Sequence, residues 1–253
     1  MIKAEIIKKA KALGIDKVGF SRGAVAILFP YFVEGEDGNI SMYARGMDYH
    51  IVAEEKLGEL SKVLMEYGAT KTEVHVDKGV LDDRAAAFSA GLGFYGMNGM
   101  LINPEYGSYF FIGQIVHDLE IEPDSPLLDE CLMCGRCERE CPGNALRGGV
   151  VDTKKCLSDI TQRRGELSDG EKALIKKTKS CWGCDVCQRV CPHNRGLRTT
   201  AMKEFMTDRI KTLKAEDIET LSNREFDEEY KKYAFSWRGK SVLLRNLKIY
   251  EEE

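Results

Sequence analysis

An α+β fold is predicted for residues 1–125, followed by a cysteine-built unit over 126–198 and a helical tail over 199–253. Three observations carry this. Upstream of residue 125, helix-spaced and strand-like apolar segments follow one another in irregular order. Between Cys131 and Cys191 the pattern CxxCxxCxxxCP is written twice, as Cys131, Cys134, Cys137 and Cys141 before Pro142 and as Cys181, Cys184, Cys187 and Cys191 before Pro192. Near the C-terminus, Leu243, Leu244 and Leu247 recur at helical spacing inside the basic run KKYAFSWRGKSVLLRNLK. At 253 residues, with 43% hydrophobic and 31% charged content, the chain has an ordinary globular composition and length for one or two domains with cores. No apolar run approaches the roughly 20 residues of a membrane-spanning helix. A net charge of -4 and a pI near 5.8 argue against a generic nucleic-acid binder, while leaving room for a local basic patch. The C-terminal run is such a patch, and a solvated helix face with its leucines turned inward accounts for it more simply than RNA contact does.

In order, residues 2–13 read as an amphipathic helix with Ile6, Ile7, Ala10 and Leu13 on one face and Gly14 as its stop. DKVGF is a strand, and AVAILF at 24–29 is a continuous apolar run ending at Pro30, as in a buried strand. EGEDGN is a turn. From Asp48, an N-cap, a helix runs to about Tyr67 with Val52, Leu57, Leu60, Val63 and Leu64 at helical spacing, and Gly68 closes it. KTEVHV is the next strand and leads to Asp77 and Gly79. LDDRAAAFSA is helical and stops at AGLGFYGMNG, in which Gly91, Gly93 and Gly96 match GxGxxG. A dinucleotide fingerprint needs a strand before those glycines and a helix after them; here the helix comes first and MLINP follows as a strand, so a Rossmann site is not predicted. The glycines still permit positive φ and close approach of backbone to a neighbour or ligand. SYFFIGQIVHDLEI is a further strand, rich in aromatic and β-branched residues.

In the doubled cysteine run, three closely spaced thiolates hold three corners of a 4Fe–4S cube, and the fourth, beside proline, crosses to the other cube. This is the two-cluster ferredoxin pattern, and it puts Cys191 on the first cluster and Cys141 on the second. Zinc needs four tetrahedral ligands and gives no reason for a third evenly spaced thiolate followed by CP. The opening MIKAEIIKKAKALG shows no apolar signal segment, so a reducing cytoplasm with free thiols is expected rather than disulfides. Cys156, in KKCLSDIT, is a ninth cysteine where eight thiolates suffice, so either Cys156 or Cys181 is spare. Spacing favours Cys181 as the ligand.

The ordered set YARGMDYH (43–50), HVDKGVLDDRAAAFSAGLGFYGMN (75–98), LINPEYGSYFFIGQI (101–115), the first cysteine run, KKCLSDIT and GCDVCQRVCPHN (183–194) resembles the epoxyqueuosine reductases, cobalamin- and iron-sulfur-dependent enzymes related to the reductive dehalogenases. The resemblance covers most of the chain and keeps motif order. It implies a nitroreductase-like α+β domain holding cobalamin beside a ferredoxin-like domain with two 4Fe–4S clusters. The implied reaction is removal of the epoxide oxygen of epoxyqueuosine in tRNA, the last step of queuosine synthesis, supplied by a low-potential donor such as ferredoxin or flavodoxin. By the same resemblance Cys131, Cys134, Cys137 and Cys191 hold one cluster and Cys141, Cys156, Cys184 and Cys187 the other, leaving Cys181 spare, against the spacing argument. Asp77 matches the family's acidic proton donor. Tyr43, Arg45, Asp48, Tyr49 and His50, with Gly91, Gly93, Phe94, Gly96, Met97 and Asn98, match segments around the cobalamin, which is expected between 43–50 and 91–98 with Asp77 facing the open side of the cobalt.

Breaking an epoxide carbon–oxygen bond takes two electrons and a proton, and cluster potentials, spanning roughly −700 to +450 mV, can be set low enough to recharge a cobalt centre. Asp77 would then need burial and no close cation to keep its proton; read from the residues alone, VDKG makes it a turn residue, and Tyr49 and His50 first-turn helix residues. The chain departs from the family at Met47, usually basic, and at Met97, usually lysine. Members also carry a longer segment before the strand at 24–29, and many continue past the equivalent of Glu253 into a helical-repeat domain that helps hold tRNA. Weak, salt-sensitive tRNA binding is therefore expected. Two alternatives keep part of the machinery: dehalogenase-like reduction of a small molecule, and a non-enzymatic two-cluster electron carrier.

Overall fold

The computed structural model of the protein describes residues 1–35, 37–77, 79 and 82–252. Its first part holds helix α1 (Ile2–Ala12), strands β1 (Lys17–Ser21) and β2 (Ala24–Pro30), helix α2 (Tyr49–Glu66), strand β3 (Thr72–Val76), helix α3 (Asp83–Ser89), the short strands β4 (Phe94–Tyr95) and β5 (Leu101–Ile102), and strand β6 (Phe110–His117). The four long strands form an antiparallel sheet in the order β1-β2-β6-β3. Alternate residues of β2 serve different layers. Val25, Ile27 and Phe29 face Ile6, Ala10, Val52, Leu57 and Leu60 of α1 and α2, while Ala26 and Leu28 face Ala87 and Ala90 at α3. Both faces of the strand are covered, which is why AVAILF lacks the polar alternation of a half-exposed strand. Gly113, opposite Ile27, lets α2 lie against the sheet: a Cβ there would stand 2.6 Å from a Leu57 methyl. The expected strand over MLINP is shorter than read, two residues that pair only with β4.

The remainder is assembled from short helices: α4 (Arg136–Arg139), the hairpin β7 (Leu146–Arg147) and β8 (Val150–Val151), α5 (Leu157–Ile160), α6 (Asp169–Thr178), α7 (Val186–Arg189), α8 (Lys203–Met206), α9 (Ala215–Glu219), α10 (Asn223–Tyr230) and α11 (Lys240–Glu251). Their packing crosses residues 125 and 198. Met202 and Phe205 join the core of the sheet layer, and a second core gathers Ile40 and Ala44 with Cys181, Trp182 and the tail residues Phe226, Phe235, Leu243 and Leu247. In α11, Leu243 and Leu247 are fully buried and Leu244 is half-buried, as the inward-face reading expects. Among the described residues, no helix is long and apolar enough to cross a membrane.

A polar seam fastens the cysteine segment to the sheet layer. Asp185 accepts the backbone N–H of Met42 at 2.8 Å and the hydroxyl of Ser41. Gln188 donates to the Ser108 carbonyl at 2.9 Å and to the Tyr31 hydroxyl at 3.2 Å, and Asn194 accepts the Ser108 N–H at 2.8 Å. Gly183, at φ +72°, makes room for this contact, because a Cβ would meet Tyr43 at 2.9 Å and overlap Ser41. Asp185 is buried, so truncating it strands the buried Ser41 hydroxyl and the part-buried Met42 N–H at a cost of about 1–3 kcal/mol. Asp185→Ala should therefore lower Tm by roughly 2–10 °C in a calorimetric scan of anaerobically purified protein; an unchanged Tm would show that the seam adds nothing to stability.

Candidate active site and thiol clusters

The cysteines fall into two sets and a remainder. Cys131, Cys134, Cys137 and Cys191 line one small cavity, with Met97, Asn98 and His193. Cys141, Cys156, Cys184 and Cys187 line another. Mutual electrostatics give the same partition: Cys191 feels Cys131 and Cys134, whereas Cys187 feels Cys184, Cys156 and Cys141. Burial pushes the Cys184 thiol up to about 11, with Asp185, Cys156 and Cys141 pushing the same way. Gly143 brings the two segments of the inner set together. Its missing Cβ is occupied by the Lys155 carbonyl, next to Cys156, so the loop after Cys141 rests directly on the KKC turn. Cys181 stands apart in the second core, fully buried, with its Sγ donating to the Asn39 carbonyl at 3.1 Å and its thiol pushed by burial up to about 12. Among the described residues no three donors converge on one ion-sized point. Ligands spread around a cavity suit a cube, which takes its thiolates at separate corners.

The inner set forms one wall of a cleft made of three adjoining cavities. The first, about 460 Å³, lies between those thiols and the rings of Tyr31, Tyr43, Tyr49, Phe110 and Phe111. A second, about 510 Å³, shares Phe110, Phe111, Arg84, Gly99 and Met100 with it and extends to Asp77 and Asp83. The third, about 620 Å³, shares Tyr43, Tyr49 and Ser158 with the first and adds Asp48, His50, Asp77, Gln162 and Trp237. Tyr49 stacks on Phe111 at 4.0 Å and an interplanar angle of 7°, giving the cleft a flat aromatic floor. Asn98 is buried between the outer thiols and this cleft, lining both, and its Nδ2 has no hydrogen-bond partner among the described residues. A buried unpaired donor of this kind is expensive unless a bound group accepts from it.

Asp77 sits just past β3 with φ 59°, its N–H donating to Asp83 at 2.9 Å. The burial expected for it is not found, since its side chain is 53% exposed. Nor is it clear of a basic group, because the His50 Nε2 lies 3.7 Å away. Its protons are arranged by neighbours instead. The Tyr49 hydroxyl donates to Asp77 and is held well above the usual phenol range, first by burial and then by the Asp77 charge. His50 is raised above its ordinary 6.5, chiefly by the hydrogen bond to Asp48 at 2.9 Å, against the opposing effect of burial. Asp48 fixes this geometry as the N-cap of α2, accepting the His50 N–H at 3.0 Å. The arrangement can hold a proton on His50 beside Asp77 and keep a phenol pointed at the same carboxylate.

The residues expected around a large ligand divide. Tyr43, Asp48, Tyr49, His50, Asp77 and Asn98 reach the cleft. Arg45 does not: it is buried and holds its own loop through an Nε bond to the Ile40 carbonyl at 2.7 Å. The close approach allowed by Gly91, Gly93 and Gly96 is to the chain itself, at Ser125, Ile102 and Asn98 respectively, because AGLGFYGMNG closes a hairpin. Phe94 is buried edge-on to His193, Met97 faces the outer thiols, and Met47 packs on the sheet core, so neither methionine stands on the wall beside Asp77. Sequence reasoning missed Phe110, Phe111, Gln188, Gln162 and Trp237. The polar Gln188 inside an otherwise metal-binding run was the available signal.

Because His50 is stabilised as a cation by Asp48, its imidazole resonance should titrate above 6.5 in NMR, and Asp48→Asn should bring the midpoint down. This link favours the folded state fully below the histidine's unfolded pKa and is lost as pH rises through the folded one. A midpoint unmoved by the substitution would sever it.

Comparison with known proteins fits this geometry. Residues 130–194 match a family described as 4Fe-4S double cluster binding domain, and residues 22–78 match Epoxyqueuosine reductase QueG, DUF1730. An epoxyqueuosine reductase of Staphylococcus aureus is 36% identical over 88% of this chain and 61% of its own length, and that of Bacillus subtilis 31% identical over 97% and 77%. The chain thus spans about three fifths of the length of several curated relatives it matches. A crystal structure of epoxyqueuosine reductase with an epoxyqueuosine-modified tRNA-Tyr stem loop superposes with a TM-score of 0.87 at 30% identity, covering 98% of this chain and 80% of that one. A catabolic reductive dehalogenase shares the fold, with a TM-score of 0.57 at 22% identity over 79% of this chain and 32% of its own. The chain belongs to the epoxyqueuosine reductase family.

Proposed function

We propose that the protein removes the epoxide oxygen of epoxyqueuosine in tRNA, with electrons passing through two 4Fe–4S clusters to a cobalamin held in the cleft. The observation that carries this reading is the cleft itself, which has four thiols along one wall and Asp77, Tyr49 and His50 at its other end. Cys131, Cys134, Cys137 and Cys191 are assigned to the outer cluster and Cys141, Cys156, Cys184 and Cys187 to the inner one. Cys181 is assigned to the core. A flat, bulky macrocycle fits the aromatic floor of Tyr49 and Phe111 and gives the buried Asn98 Nδ2 an acceptor. When bound, cobalamin supplies the strongly reducing metal centre that the side chains lack.

The chain's own residues do the rest. The aromatic walls exclude water, the inner thiols place one cluster at the cleft, and Asp77, resupplied from His50, delivers the two protons with which the oxygen leaves as water. A low-potential carrier such as ferredoxin or flavodoxin, in a cytoplasmic setting that keeps the thiols reduced, would reach the outer set, where Cys134 is exposed. Small-molecule reduction is the second reading, favoured by the apolar rings of Phe110 and Phe111 in the cleft. Turnover of tRNA from a reductase-deficient strain separates the two.

Cys181→Ser should keep about eight iron and eight sulfide per chain after anaerobic reconstitution, while Cys156→Ser should fall to about four or convert one cluster. The reverse pattern would return Cys181 to the ligand set. Asp77→Asn should retain both clusters and cobalamin affinity but lose on the order of 10²–10⁴ in turnover, the usual contribution of a positioned acid. Normal turnover by the Asn variant would leave Asp77 a turn residue, and a protein that binds no cobalamin would be an electron carrier.

A further inference from the structure

We infer that Trp237 is a stacking platform for a nucleobase adjacent to the reacting base in a single-stranded loop of the substrate RNA. The inference rests on the tRNA reading above and adds a specificity residue to it. Of the two tryptophans, Trp182 is fully buried with its indole N–H on the Tyr43 hydroxyl at 3.0 Å, as a core residue should be. Trp237 is 55% exposed. It lines the same cavity as Asp77, Tyr49 and His50.

Its ring is nonetheless fixed. The indole N–H donates to the Gln162 side-chain oxygen at 3.0 Å, and Gln162 is itself held by its amide on the Ser158 carbonyl at 2.8 Å. The Arg238 guanidinium lies 3.6 Å over the ring. Arg238 occupies one face of the indole, and the ring itself lines the cavity. The preceding turn is anchored by Phe235, fully buried in the second core. A largely exposed apolar ring held in one orientation at a cavity wall is organised for a flat ligand rather than for folding.

Bases in single-stranded RNA are recognised by stacking on aromatic rings, because every base has a π-face, and a backing arginine adds cation–π attraction. With the reacting base directed toward Asp77, the next base along the strand would be carried over Trp237. A second flat surface beside the one that takes the reacting base suits a polymer, whose next base arrives on the same strand.

The test uses anaerobic holoenzyme and an RNA stem-loop carrying epoxyqueuosine, with 5-iodouridine placed on either side of it. Irradiation should crosslink one of the two neighbours to the peptide containing Trp237. Trp237→Ala should raise KM for the stem-loop by roughly 5- to 100-fold, the range of base–aromatic stacking, with the loss carried by KM rather than kcat. Trp237→Phe should recover most of it. KM for the free epoxyqueuosine nucleoside should be the same in all three proteins. If Trp237→Ala reduces the stem-loop with wild-type KM and the crosslink maps elsewhere, the platform is overturned while the tRNA reading stands. If the wild-type enzyme neither crosslinks nor reduces the stem-loop, both are overturned.

Discussion

The seam between the cysteine segment and the sheet is the contact on which the site depends. Asp185, Gln188 and Asn194 lie between or beside cluster cysteines, and all three spend their polar groups on Ser41, Met42 and Ser108 of the sheet layer. Metal-binding runs of this length have little apolar core of their own, so their position is set by what they are tied to. Here the tie is buried, and a buried hydrogen bond resists slippage because breaking it leaves a group with neither water nor partner. The inner thiols are thereby held facing the aromatic rings across the cleft.

From that constraint follows a division of labour along a line. In the outer set Cys134 is exposed, Cys131 half-buried and Cys137 and Cys191 buried, while the four half-buried inner thiols sit against the cavity. Asn98 lies between them. On the far side of the cleft the charged groups gather on one short stretch of α2 and the end of β3. Asp48 caps the helix and orients His50, and Tyr49 and His50 converge on Asp77. On the proposed reaction, electrons and protons would therefore approach the same space from different walls of the cleft.

Much of this was legible in the residues, for identifiable reasons. Helix α2 and its cap at Asp48 followed from apolar spacing and an N-cap residue, and the buried strand AVAILF from its lack of polar alternation. Both signals are local. The glycine loop was ambiguous because a glycine reports only that something comes close, and the neighbours of Gly91, Gly93 and Gly96 are other parts of the chain, while Asn98 of the same loop reaches the cleft. The ninth cysteine could not be resolved by spacing, since Cys156 reaches the inner set through Gly143 resting on Lys155, a contact between segments that no periodicity encodes. The cleft rings Phe110 and Phe111 were read correctly as strand, but which strand end opens onto a cavity is a property of the assembled layers.

The exposure of one cysteine, Cys134, also gives the molecule a first point of failure. Dissolved oxygen and peroxide attack an iron-sulfur centre where they can reach its sulfur, and thiolate oxidation follows exposure. Cys134 opens to solvent beside the exposed side chains of Leu132 and Met133, whereas the four inner thiols are all half-buried. Damage in air would thus begin at Cys134, where electrons enter on the proposed reading, before it reaches the half-buried thiols along the cleft. A protein in that condition would keep its shape and its cleft but accept no charge, so handling losses would register as a starved enzyme rather than an unfolded one.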